Sequence, residues 1–326
     1  MQDRTYSDLL FLIQSLIGGG NLTTEEQGSI ESFINRRAHE AFETSQTWPR
    51  FLVSSEERAL VLYELLGATS STSTSVNGQY KFFGINSGSF ESGGGSATAD
   101  TNIYQNTGST TTFIYKNSSN AWVVATSISP TDTRSSDGKI SLNSSGTVQF
   151  TEADTTKNDA LENVTTWTPR TGSNLLSVVK KYIVPYAEGG VLTGESSKTT
   201  IGEFLKIYRK QAFLNDSSLE YDFFVDFNGG NILNIANTTD NTAFVTYKKE
   251  LPQYTITSTD IPGEWFFFIA HGAYADFLRM EGRVEQSITE EGVAQGYLAQ
   301  ELEKVDNMSN NNVFRRFSTH GTRQSR

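Results

Sequence analysis

The residues that could do chemistry are few, and each near-match to a catalytic pattern fails at a definite position. Gly189-Gly190-Val191-Leu192-Thr193-Gly194 opens like a phosphate-binding loop, yet Glu195 follows where lysine belongs, and Lys198-Thr199 arrives three positions late. A carboxylate at that place repels the phosphate such a loop holds. Asp222, Asp226, Asn228 and Gly229 resemble a calcium loop, but the D-x-D-x-D-G spacing is broken and no glutamate closes it. His39-Glu40 lacks the second histidine of a zinc-binding helix and is expected to face solvent, opposite Ile34 and Phe42. His271 has no acid paired with it in sequence and reads as a core or interface histidine. There is no G-x-S-x-G elbow, and with Cys 0 there is neither thiolate nucleophile nor disulfide nor cysteine metal site. The expected reading is non-enzymatic, without cofactor or metal; a hydrolase using Asp222 and Asp226 has nothing in its spacing to recommend it.

Two features point to binding instead. Trp265-Phe266-Phe267-Phe268 places four consecutive aromatics around the whole circumference of a helix, where a one-sided surface helix needs an apolar residue only every third or fourth position. Such a helix is enclosed on all sides, by its own bundle or by a neighbouring subunit, so these four are candidate inter-subunit contacts. The second is the C-terminal run Val313-Phe314-Arg315-Arg316-Phe317, continuing through Arg323 to Arg326, which carries four arginines and no acid. On its Asn/Ser tether (307–312) such a segment reads as a nucleic-acid contact, a solvated end or a docking peptide that orders on binding, and its aromatic and arginine anchors favour the last.

The elements that would position these groups fall into zones. Tyr6 to Ile17 is densely apolar and stops at Gly18-Gly19-Gly20. Thr23-x-x-Glu26 is a capping box, opening a helix with Ile30, Phe33, Ile34, Ala38, Ala41 and Phe42 on one face and ending at Trp48-Pro49. Ser54-x-x-Glu57 predicts a third helix to about Leu66. From Gly67 short strand-like runs alternate with turns, which reads as an all-β module over 76–150, with a helix-friendly exit over 152–166. Within it Tyr80, Tyr104, Tyr115 and Trp122 fall at strand spacing; they are candidates for the module's own core or for a sugar-stacking platform. Thr199 to Ala212 has a helical pattern that could be partly extended, and Glu220–Phe227, Asn231–Ile235 and Ala243–Lys248 read as a small antiparallel meander. Two helices follow, from Trp265 to about Glu281 and over Glu290–Asp306. The expected class is α+β: a helical bundle from the N- and C-terminal helices, an antiparallel meander and an inserted all-β module. The expected segments are 1–66, 67–168, 169–258, 259–312 and the basic extended tail 313–326.

Charge follows the same zones. Of the net −11, residues 1–66 carry −5, 67–166 carry −3, 167–258 balance, 259–312 carry −7 and the last fourteen residues carry +4. An acidic body repels phosphates, so DNA capture by the whole chain is not expected. The longest apolar run, Trp265 to Ala270, is six residues against the roughly 20 of a membrane span, and no membrane partner is expected. Met1-Gln2-Asp3-Arg4 lacks the basic start and apolar stretch of a signal peptide.

Several residue runs, taken in order, resemble one family. Arg36-Arg37-Ala38, Trp48-Pro49, Glu220-Tyr221-Asp222-Phe223-Phe224, Gly229-Gly230-Asn231-Ile232, Ala243-Phe244-Val245-Thr246-Tyr247, Ile261-Pro262 and His271-Gly272-Ala273-Tyr274-Ala275 look like a tailed-bacteriophage head-to-tail adaptor, the connector or tail-tubular type that docks under the portal. The resemblance covers about 1–66 and 180–326, and the region 76–168 departs from it. It implies a virion structural protein at the head–tail interface, present in the host cytoplasm during assembly. It also implies a homo-oligomeric ring, a dodecamer, between the portal protein and the tail nozzle or tail-tube protein. DNA would be transiting cargo, and the C-terminal segment would enter portal clefts. The alternative is a glycan- or receptor-binding virion protein acting through the β module.

Overall fold

The computed structural model describes residues 3–19, 22–68, 76–88, 97–131, 133–142, 146–153, 160–170, 176–188, 192, 198–211, 220–233 and 240–321. The described residues form four α-helices and fourteen strands, an α+β protein as expected. They divide into two compact units, residues 1–52 with 250–326, and residues 53–249.

The first unit is helical. Helix α1 (Tyr6–Ile17) begins in a capping box, with the Thr5 hydroxyl accepting from the Asp8 amide and the Asp8 carboxylate accepting from the Thr5 amide. Helix α2 (Thr24–Glu43) begins the same way at Thr23 and Glu26. The chain returns for α3 (Phe266–Met280) and α4 (Val284–Gly321), joined by a tight connection in which Gly282 takes φ +79°. Helix α3 is the central element: its buried side includes Phe268, Ile269, Ala273 and Phe277, against Leu9 and Ile13 of α1, Ile30 and Ile34 of α2, and Leu298 of α4. Trp265 at its start stacks on Phe51 at 5.0 Å and meets Trp48 edge-on at 5.4 Å, so the Trp48-Pro49 stop also supplies core.

The second unit holds every strand. Strands β1 (Leu52–Ala59), β14 (Thr242–Lys249) and β11 (Ile201–Tyr208) form a three-stranded sheet in that order. The larger sheet runs β12 (Phe223–Asp226), β13 (Gly229–Ile232), β10 (Ser177–Pro185), β2 (Val61–Leu66), β3 (Gly78–Asn86), β4 (Asn102–Asn106), β5 (Phe113–Lys116), β6 (Trp122–Thr126), β8 (Thr147–Glu152), β9 (Trp167–Pro169), with β7 (Lys139–Ile140) parallel to β3. At β5 and β6 both faces are covered. Alternate residues of β5 and β6 enter different cores: Ile114 and Val124 join Tyr80, Tyr104 and Phe150, while Phe113, Tyr115, Val123 and Ala125 join Phe83 and Ile103.

Five expectations are corrected. Residues 54–66 are not a third helix but β1 and β2: Tyr63 and Leu65 point inward while Glu64 and Leu66 do not, a period of two, and β2 pairs with β10 on one side and β3 on the other. The helical pattern at 199–212 is β11, paired with β14; residue 212 lies outside the described residues. The strands of 67–168 are not a separate decoration, because β3 to β9 extend the sheet that β2 and β10 begin. The exit 152–166 shows a single 3-10 turn, Leu161–Asn163, with 154–159 outside the described residues. In the tail, finally, residues 313–321 are not extended: α4 continues to Gly321, since no Gly or Pro interrupts the chain between Gly296 and that point, and 322–326 lie outside the described residues.

Candidate interaction site

The strongest concentration of chemistry in the helical unit is one arginine that joins three helices. Arg37 on α2 is 4% exposed, and its Nε and Nη2 donate to the two carboxylate oxygens of Asp276 on α3 at 2.9 and 2.8 Å. Nη1 and Nη2 also donate to both oxygens of Glu291 on α4, at 2.8 and 2.5 Å, and Nη1 donates to Glu40 at 3.0 Å. Gln295 donates to Glu40 and Glu291. Arg36 pairs with Asp276 from the solvent side, and Arg279 donates to Asp276 at 3.3 Å. Burial alone would lower the Arg37 pKa, but the hydrogen bonds from Asp276 and Glu291 outweigh it and the net shift is upward. Burial would likewise raise Glu291, yet its bonds with Arg37 and Gln295 hold it below the usual glutamate range.

Gly272 makes this arrangement possible. A Cβ there would stand 2.9 Å from Arg37 Cδ and 3.0 Å from Nε, so only glycine lets the guanidinium stem cross α3. Beside it, His271 Nδ1 lies 2.9 Å from Glu290, and the ring stacks on Tyr297 at 5.4 Å; Tyr297 also stacks on Phe267 at 5.2 Å. The acid that the sequence around His271 lacks is therefore supplied by α4. His39, by contrast, is exposed as expected, with Glu43 beyond hydrogen-bond range at 4.0 Å. Asp276 and Glu291 were not legible as site residues, although one signal existed: Asp276 is the lone carboxylate of α3 and follows Gly272 and Ala273 at helical spacing.

The candidate contact aromatics separate. Trp265, Phe266 and Phe268 are 0%, 8% and 0% exposed within this chain's own core, which removes them as subunit contacts; Phe267, at 47%, keeps an outward face. Tyr80, Tyr104, Tyr115 and Trp122 are all buried, the first, second and fourth in one core of the β unit and Tyr115 in the other. A sugar-stacking platform from these four is therefore corrected: strand alternation turns them inward. Val313, Phe314, Arg315, Arg316 and Phe317 lie along the last turns of α4, and Arg323 lies outside the described residues.

The other sequence candidates resolve into structure. Asp226 and Asn228 form the β12–β13 turn, the Asp226 carboxylate accepting from the Asn228 amide at 2.8 Å. Gly229 follows with φ +137°, and a Cβ there would stand 2.1 Å from the Val184 carbonyl oxygen, so the hairpin needs glycine to lie on β10. Of the glycine run 189–194, only Leu192 falls among the described residues, where it is buried. Among the described residues no group of three or more acidic or histidine side chains could hold a metal, and no helix is long and apolar enough to cross a membrane. A hollow of about 270 Å³ beside Ile17, Leu22, Glu26, Tyr274, Phe277 and Arg283 completes the helical unit's surface features. Comparison of the chain with protein-family models, with curated proteins and with solved structures finds no match.

Proposed function

We propose that this chain is a non-enzymatic structural protein of a tailed-phage virion, a head-to-tail adaptor that forms a ring between the portal and the tail nozzle or tube. The observation that carries this reading is α4. The helix has 38 residues, a length of about 57 Å at 1.5 Å per residue. Its first half is locked to α2 and α3 through Glu291 and Leu298. The remainder of the helix leads to Phe314-Arg315-Arg316-Phe317, an aromatic and cationic segment. Such a segment suits insertion into a groove of a neighbouring ring, where aromatic and arginine side chains make the densest contacts.

The acidic body supports the same reading. A net charge of −11 lets a polyanion slide past without capture, as a DNA passage needs. The ring, its stoichiometry of twelve and its place in the virion follow from the family resemblance alone. With the platform aromatics buried, no feature favours the glycan-binding alternative. Co-sedimentation of the full chain with a portal ring, against a chain ending at Asn312, tests the proposal. Binding by the full chain alone, with a second ring visible by negative stain, supports it. Equal binding by both, or by neither, overturns the role assigned to the segment.

A further inference from the structure

The hollow in the helical unit lies where α1 ends, α2 begins and α3 gives way to α4. Ile17 of α1, Leu22 at the entry to α2, and Tyr274, Phe277 and Leu278 of α3 form its apolar walls. Glu26, Glu281 and Arg283 complete the lining. Its volume of about 270 Å³ falls below the roughly 300–1,000 Å³ of small-molecule sites, which suits one or two side chains of a protein partner.

The lining is acidic. Two carboxylates stand against one guanidinium, and the Arg283 Nε already lies 3.6 Å from Glu281. Helix α1 ends at Ile17 and α3 at Met280, so two helices bring the negative ends of their dipoles here. The positive end of α2 is answered by its own capping box at Glu26. Apolar walls in a negative field suit a partner that offers aromatic rings and cations together.

Phe314-Arg315-Arg316-Phe317 has that chemistry, within a stretch 313–326 of four arginines and no acid. Along α4 it stands far from the hollow of its own chain. Arg283 immediately precedes the helix, and Phe314 lies thirty residues beyond Val284, about 45 Å at 1.5 Å per residue. A second copy must therefore supply the segment. We propose that the hollow is a socket for Phe314-Arg315-Arg316-Phe317 of a second copy of this chain, with an aromatic ring against Tyr274 and Phe277 and the guanidinium groups toward Glu26 and Glu281. Each copy then offers a socket at one end of α4 and a segment at the other. Such a contact between unlike surfaces runs head to tail, closing into a ring or continuing as a filament. The inference goes beyond the adaptor reading: one segment fills one site at a time, so a portal groove competes with the neighbouring copy for it.

The test is sedimentation velocity of the full chain over a concentration series, at low and at high salt. The expected result is self-association that weakens as salt rises. A free peptide of residues 313–326 should displace it, and the same peptide with Arg315→Glu and Arg316→Glu should not. Glu281→Arg, at an exposed position, should keep the thermal midpoint and weaken self-association roughly tenfold or more, because like charges then meet. Should Glu281→Arg fail to fold, Glu281→Gln gives the same readout with a smaller loss. Glu281→Arg should still bind a portal ring, since its segment is unaltered; lost self-association with portal binding intact supports the socket apart from the adaptor reading. No self-association by the unaltered chain, association untouched by the peptide, or association that the Glu281 variants leave unchanged overturns the proposal.

Discussion

Arg37 and Asp276 meet side-on through two parallel hydrogen bonds, at 2.9 and 2.8 Å, although 239 residues separate them in sequence. The pair closes the helical unit, because α2 precedes the β unit in the chain and α3 follows it. Removing one partner of a buried ion pair leaves the other charge uncompensated, which costs about 3–5 kcal/mol. Glu291 and Glu40 still pair with Arg37 after Asp276→Ala, so that variant is expected to lower the unfolding free energy by less, about 1–3 kcal/mol, read from denaturant unfolding curves. Arg37→Met with Asp276→Leu should recover most of the loss, since neither charge then remains buried. A double variant as unstable as the single one would show that helix contacts, and not the charge, set the cost.

Gly272 and Gly296 offer a paired comparison inside one unit. At Gly272 the new methyl would meet the Arg37 stem at 2.9 Å, whereas at Gly296 it would meet nothing within 4 Å. Gly272→Ala is expected to destabilise by about 1–3 kcal/mol through overpacking. Gly296→Ala in an open helical position is expected to stabilise by about 0.5–1 kcal/mol. Unfolding curves of the two variants should shift in opposite directions.

The sequence carried the helical unit well because its signals are local. Thr23-x-x-Glu26 closes as a capping box, and the spacing of Ile30, Ile34, Ala38 and Ala41 marks the buried face of α2. The β unit was legible in its middle, where Asn77-Gly78 and Asp137-Gly138 punctuate the chain, and poorly legible at its edges. Ser54-x-x-Glu57 has the letters of a cap, yet Glu57 continues β1 and the Ser55 amide donates to Thr246 of β14 instead. At β2 and β11 pairing with strands more than a hundred and about forty residues away overrode local spacing, as long-range sheet contacts do. Arg37 belonged to a run that carried the family resemblance, but its partners Asp276 and Glu291 could not be read, because helical spacing shows which residues share a face and not which faces meet.

Lys81 gives the β unit an alkaline signature. Burial pushes its folded pKa down to about 8, below the ordinary lysine value near 10.4, so the unfolded chain binds more protons between those limits. Stability is expected to rise as pH climbs from about 8 toward 10. Above about 10 the trend reverses: burial raises Tyr63 and Tyr80, which keep their protons in the fold after the unfolded chain has lost them. Lys81→Met should flatten the rising limb and leave the falling one. Denaturant titrations at intervals across that range measure both.

Phe267 and Phe268 are neighbours with opposite surroundings, 47% and 0% exposed. Phe268→Ala opens a cavity in the helical core and is expected to cost about 3–5 kcal/mol. Phe267→Ala removes the stack on Tyr297 at 5.2 Å and the edge contact with Phe266 at 5.5 Å, with an expected cost of about 1 kcal/mol. In the proposed ring Phe267 is the aromatic of the four left to face a neighbour. Sedimentation of Phe267→Ala therefore separates packing from assembly: a stable chain that assembles more weakly places the subunit contact at this residue, and unchanged assembly removes it.

The end of α4 should be dispensable for folding and not for docking. Val305 packs in the core of the helical unit, and the helix runs sixteen residues further, about 24 Å at 1.5 Å per residue. A chain ending at Asn312 loses Phe314, Arg315, Arg316 and Phe317 and removes +4 of charge from a body that is already acidic. In the proposed role the segment packs on a partner, so the thermal midpoint of the shortened chain is expected to match that of the full chain. Binding to a portal ring should fall at least tenfold, and the loss should resist moderate salt if the aromatics anchor the segment. A loss that salt reproduces in the full chain would assign the docking to the arginines instead, because exposed charge pairs are screened within about 10 Å at 0.1 M ionic strength.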